Sequence, residues 1–109
     1  MTRIFTEKDK RIFEKMKQAV LSIDESAEII LFGSRARGDF KEDSDYDFLI
    51  LTDKAVDYKL RKAMHSSTYD VMFEEDILSQ EILRNKNEWK TKHFVTPLFY
   101  NIKLDGIKI

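Results

Sequence analysis

The chain has 109 residues and a mass of 13.0 kDa, with 19 Lys plus Arg against 20 Asp plus Glu and a formal net charge of -1. That length holds one hydrophobic core, so a single domain over residues 1–109 is expected, and the near-neutral balance gives no global pull toward nucleic acid or an anionic membrane. Cysteine is absent, which excludes a disulfide framework, a thiolate nucleophile, an iron-sulfur cluster and any cysteine-ligated zinc site.

Thr6 followed by Asp9 resembles a capping box, and Ile12, Phe13, Met16, Ala19, Val20 and Ile23 then step at helical spacing, so the chain opens on a helix with one buried face. Glu28 to Phe32 is a β-branched apolar run stopped by Gly33, which predicts a buried strand ending in a tight turn. Ser34 to Asp45 reads as a short helix plus a solvated loop, and Tyr46 to Leu51 as a second strand. Val56, Leu60, Ala63 and Met64 recur at helical intervals between Asp53 and His65. Ser67 to Phe73 (STYDVMF) predicts a third strand, and Ile77, Leu78, Ile82 and Leu83 predict a helix from Asp76 to about Trp89. Thr96-Pro97 supplies an N-cap with proline at the first helical position, and Gly106 a stop before Ile107-Lys108-Ile109. The expected fold class is α/β (α+β), a small mixed sheet of three to four strands with flanking helices.

The amino terminus shows no apolar signal-peptide stretch, and the longest segment free of Asp, Glu, Lys and Arg runs from His93 to Ile102. A membrane span needs about twenty apolar residues. A cytoplasmic protein with no membrane association is expected.

The informative stretch is Leu31 to Ile50, LFGSRARGDFKEDSDYDFLI. Asp45 and Asp47 flank Tyr46 at the head of a strand, and alternation sends both carboxylates to one face with Cα atoms about 6.6 Å apart at about 3.3 Å per residue. Two such anions suit one hard cation, or bridge two; Mg²⁺ takes one or two protein carboxylates together with phosphate oxygens. The plainer alternative is a solvated strand entry with Asp45 capping a turn. Gly33 ending a strand, followed by Ser34, lets backbone and hydroxyl approach a phosphate, although Gly-Ser in that position also serves as an ordinary turn. The spacing fits neither a P-loop nor G-x-G-x-x-G. Arg35 and Arg37 could fork onto a triphosphate, or tie down Asp39 or Asp43.

Gly33-Ser34, ten intervening residues, then Asp45-Tyr46-Asp47-Phe48, with Arg37-Gly38 and Ser44 in the interval, resembles the signature of the DNA polymerase β-like nucleotidyltransferase superfamily, and more narrowly its minimal nucleotidyltransferases (MNT proteins). The likeness is densest over Ile29 to Leu51. It implies transfer of a nucleoside monophosphate, AMP from ATP or another NTP, to a hydroxyl acceptor, with two Mg²⁺ ions held by three carboxylates. Asp45 and Asp47 would hold the nucleotide-bound ion and share a second with a third acid on a neighbouring strand. Asp70, between Tyr69 and Val71 in the predicted third strand, is the expected third ligand, ahead of Glu74 and Asp53. Gly33 and Ser34 would cradle the β and γ phosphates, with Arg35 and Arg37 as further nucleotide contacts. The implied partner is a HEPN-domain protein, a toxin whose antitoxin this chain would be.

His65 and His93 lie in no metal-ligand spacing, and Trp89, Phe94, Phe99 and Tyr100 read as a packing face. The Lys and Arg excess after Glu81 is too scattered for a nucleic-acid groove. Two other functions compete. The chain could neutralise its partner by binding alone, its site serving only to sense nucleotide. It could instead be a template-free RNA or tRNA nucleotidyltransferase, which the near-neutral charge disfavours. The sequence leaves the acceptor, the base preference and dimerisation open.

Overall fold

The computed structural model describes residues 5–39, 41, 44–92 and 95–109. Asp43, His93 and Phe94, on which expectations fell, lie outside the described residues.

Thr6 and Asp9 form the capping box: the Asp9 amide donates to Thr6 Oγ1 at 3.0 Å, and the Thr6 amide donates to Asp9 Oδ2 at 3.1 Å. The helix they start, α1 (Glu7–Ile23), buries Ile12, Phe13, Met16 and Val20 on one face, as its periodicity requires. Next come β1 (Glu28–Phe32), the short α2 (Gly33–Arg37) and β2 (Tyr46–Thr52), all close to the expected boundaries.

The following segment departs from expectation. Ser67 to Phe73 is not a strand: it continues α3 (Tyr58–Glu75), which starts at the N-cap Asp57 and has no Gly or Pro to interrupt it. Met64, Thr68 and Val71 are its buried residues, spaced for one helical face. Packing against α1 overrides the strand preference of Thr, Tyr and Val. The stop comes at Asp76, whose φ of 52° is left-handed. Ile77 N donates to Met72 O at 3.1 Å and Asp76 N to Phe73 O at 3.4 Å, the paired bonds of a Schellman motif. The residues read as a helix from Asp76 to Trp89 divide accordingly into β3 (Ser79–Asn85) and α4 (Lys86–Lys92). The chain ends in α5 (Pro97–Asp105), N-capped by Thr96, and β4 (Ile107–Lys108).

The sheet order is β3-β2-β1-β4; β1 runs antiparallel to β2 and β4, whereas β2 and β3 are parallel. A parallel neighbour requires a crossover, and α3 provides it. Tyr46, Phe48 and Ile50 of β2 join Ile29, Leu31 and Leu83 in the core against α1 and α3. Leu49 and Leu51 face the other way, onto Trp89 of α4 and Ile102 of α5. Central β2 is thus buried on both faces, and truncating Phe48, 1% exposed, to Ala would cost about 3–5 kcal/mol. The exception on β2 is Asp47, which shares the face of Leu49 and Leu51 but is half-buried at the strand's start. Among the described residues no helix is long and apolar enough to cross a membrane.

Candidate active site

Antiparallel register sets Asp47 opposite Phe32, the residue before Gly33. Gly33 has φ of 76°, and a Cβ built on it would collide with Asp47 Oδ2. Two independent demands therefore select glycine: the left-handed backbone, and the approach of the turn to a carboxylate. Asp45 immediately precedes β2, where Tyr46 N donates to Leu78 O at 3.0 Å and fixes the strand entry to β3. Strand alternation puts Asp45 on the Asp47 side. Burial raises the Asp47 carboxyl above its ordinary value of 3.8, the charge of Asp45 raises it further, and Arg37 opposes both. This pair of oxygen donors, one disfavoured as an anion, fits a hard divalent cation such as Mg²⁺, whose charge would relieve the repulsion.

The loop leading to Asp45 is anchored by a network not foreseen from the sequence. Arg35, 6% exposed, donates from Nη1 to Asp9 Oδ1 at 3.3 Å and from Nε to Ser44 O at 3.0 Å, with its guanidinium carbon 3.9 Å from the Tyr46 ring centroid. Tyr46 donates its hydroxyl to the same Asp9 oxygen at 2.6 Å. Burial alone would raise the Asp9 carboxyl, but the bonds from Tyr46 and Thr6 and the charge of Arg35 outweigh it and hold the group below its ordinary value. The structure thus places Arg35, expected as a nucleotide contact, as a buried internal clamp joining α1 to the residue before Asp45. It also lines a cavity of about 690 Å³ with Lys8, Ser44, Tyr46, Ile77 and Leu78, on the α1 side of the sheet. Asp9 showed itself in the sequence through its capping box, but its second role depends on a contact 26 residues away.

Arg37 is exposed and donates from Nε to Asp39 Oδ2 at 3.3 Å, while its charge reaches Asp47. Ser34 is half-buried, and its hydroxyl makes no hydrogen bond among the described residues. Gly33, Ser34, Arg37, Asp45 and Asp47 thus gather at one end of the β1/β2 pair.

Asp70 does not join them. It lies exposed on α3, and α3 packs on the sheet face opposite the one that carries Asp47. Its expected place as third ligand rested on a strand that does not form. Glu74 is on the same helix and pairs with Lys15 at 3.1 Å; Asp53 lies past the far end of β2 and pairs with Lys86 at 3.2 Å. The strand actually beside β2 is β3, and there Gln80 is the register partner of Asp47. The acid of β3, Glu81, is the partner of Phe48 and turns to α3, where Oε1 accepts the Thr68 hydroxyl at 2.7 Å. Burial raises its carboxyl despite that bond. Among the described residues no group of three or more His, Asp or Glu side chains could hold a metal ion. Among the described residues Asp45 and Asp47 are two carboxylates that could hold one ion, without the third carboxylate of a two-ion site.

The nucleotidyltransferase domain family model matches residues 10–99. A Methanocaldococcus jannaschii protein named "Putative protein adenylyltransferase MJ0604" is 40% identical over 62 residues, 56% of this chain. The match spans 62% of that relative's length. Among solved structures, a toxin-antitoxin crystal structure with AMP-PNP superposes with a TM-score of 0.63 at 18% identity, covering 87% of this chain and 69% of the other. A mutant of the toxin-antitoxin MntA-HpeT gives 0.61 at 14% identity with the same coverage. At those identities the likeness is one of fold. The family match takes in α2, the β2 aspartates and β3 alike, and on it the chain belongs to the nucleotidyltransferase domain family, as a minimal nucleotidyltransferase of the DNA polymerase β-like superfamily.

Proposed function

We propose that this chain transfers AMP from ATP to a hydroxyl group on a partner toxin of the HEPN class, and so acts as an antitoxin in the cytoplasm. The observation that carries the reading is the close approach of the Gly33 turn to Asp47, which only glycine permits and which brings the turn's backbone beside the Asp45-Asp47 pair. The relative named as a protein adenylyltransferase supports AMP transfer to protein, and the two toxin-antitoxin neighbours, one determined with AMP-PNP, support the partner class and the nucleotide.

Asp45 and Asp47 would hold Mg²⁺ arriving with the nucleotide. When bound, that ion would neutralise phosphate charge and ease departure of pyrophosphate. The Gly33 and Ser34 amides and the Ser34 hydroxyl would contact the terminal phosphates, and exposed Arg37 would add a cation on the same side. Arg35 keeps Ser44, and with it Asp45, in place against α1. In the transfer the acceptor hydroxyl gives up its proton to water, its oxygen forms a bond to the α-phosphorus, the bond from that phosphorus to the bridging oxygen breaks, and pyrophosphate leaves.

The test is to incubate the chain and its co-purified partner with Mg²⁺ and ATP and to weigh the partner. A gain of one AMP, lost in Asp45→Asn and Asp47→Asn, is expected. A tight complex with no mass gain supports the alternative, neutralisation by binding alone, which the neutral Gln80 opposite Asp47 favours. Nucleotide added to co-purified RNA instead would reject both.

A further inference from the structure

The resemblance that names the family implies two ions and three acids, and β3 does not supply the third. In a parallel pair, register partners stand side by side about 4.8 Å apart with side chains on the same sheet face. Asp47 is paired with Gln80, and the next same-face pair is Leu49 with Ile82, both packed in the α4/α5 cluster. Gln80 therefore occupies the position on the neighbouring strand from which a side chain reaches the Asp47 carboxylate. Its amide is neutral and offers one carbonyl oxygen, where a second divalent ion beside the first would need further negative charge. Glu81, one residue on, cannot substitute: alternation turns it to the opposite face, and Thr68 holds it there. A one-residue slip of β3 would exchange the two, but Leu83 in the α1/α3 core and Ile82 against Leu49 and Trp89 lock the register.

We infer that this site takes one divalent ion with its nucleotide rather than two, because Gln80 stands where a third carboxylate would reach a second ion. The inference rests on the proposed reading of Asp45 and Asp47 as nucleotide-metal ligands. Among the described residues, β3 then offers no carboxylate beside Asp47 to serve as an acceptor-side ligand or base, and those groups would come with the acceptor.

Equilibrium dialysis of the full chain against Mn²⁺ and AMP-PNP, counting both bound species, tests it. One Mn²⁺ per bound AMP-PNP is expected in the wild-type chain. Two per nucleotide, whichever acid supplied the extra ligand, overturns the inference while leaving the proposed site intact. No bound AMP-PNP overturns the site reading itself. Gln80 is exposed on an edge strand, so Gln80→Asp and Gln80→Glu should fold, with circular dichroism as the check. At least one should raise the ratio toward two; a ratio of one in both removes the role given to position 80.

Discussion

Replacing Asp47 with Asn removes a half-buried anion two residues from Asp45, about 6.6 Å along the strand at about 3.3 Å per residue. Two unit charges at that separation repel by about 2.5 kcal/mol at an effective dielectric of about 20, and by about 0.6 kcal/mol at about 80. Because Asp47 is partly exposed, solvent and salt screening bring the expected gain in stability to about 1 kcal/mol, or about 4 °C in Tm for a domain of this size. The sign follows from the raised carboxyl: ionised Asp47 costs the folded state at neutral pH, and the cost disappears as pH falls through a value above 3.8. Asp47→Asn should therefore melt higher than wild type at neutral pH, and the gap should close in acid. Its response to ligand should be opposite. At about 100 times Kd, Mg²⁺ with AMP-PNP should add about 2.7 kcal/mol to the wild type, and little to the variant. Thermal melts followed by circular dichroism, with and without ligand, measure both. A variant less stable than wild type at neutral pH, or one keeping the full ligand shift, would refute the electrostatic account of this pair.

Gly33→Ala should destabilise by about 1–3 kcal/mol through the left-handed backbone and weaken AMP-PNP binding through the displaced Asp47, read by urea unfolding and dialysis. Arg35→Met strands Asp9 in the interior with only Tyr46 and Thr6 as partners; a loss of about 3 kcal/mol in urea unfolding is expected, with unchanged stability as the contrary result. Glu75 is held down to about 2 by hydrogen bonds from Arg11 and Lys15, so its contribution is present above 4.5 and fades as pH falls from there through about 2. Glu75→Gln should melt a few degrees lower at neutral pH, and the two curves should converge in strong acid. Asp70→Asn should leave nucleotide binding and transfer within about twofold of wild type; a tenfold loss, about 1.4 kcal/mol, would restore Asp70 to the site.

Where local chemistry was unambiguous, sequence and structure agree. The Thr6-Asp9 box, the β-branched run before Gly33 and the Thr96-Pro97 start each carry their own stop or start signal, and each appears where expected. The disagreement is concentrated between Ser67 and Trp89. STYDVMF has strand composition and Ile77, Leu78, Ile82 and Leu83 have helical spacing, so propensity and period pointed the wrong way in succession. The signal that separates them, a left-handed stop at Asp76, falls on an aspartate rather than the glycine that would have announced it. That one boundary displaced the third strand by about twelve residues and carried Asp70 with it.

The spacing of Gly33-Ser34 and Asp45-Tyr46-Asp47 was sufficient to indicate the family and to bring two of the three expected acids together, because the members of each pair are neighbours in the chain and local geometry alone sets their relation. Which residue of β3 meets Asp47, and whether Arg35 faces a phosphate or Asp9, depended on contacts between residues 26 and more apart. Burial of Leu83 and Ile82 on opposite faces decides the first; the enclosed carboxylate of Asp9 decides the second. Both are properties of the packed sheet that no local pattern contains.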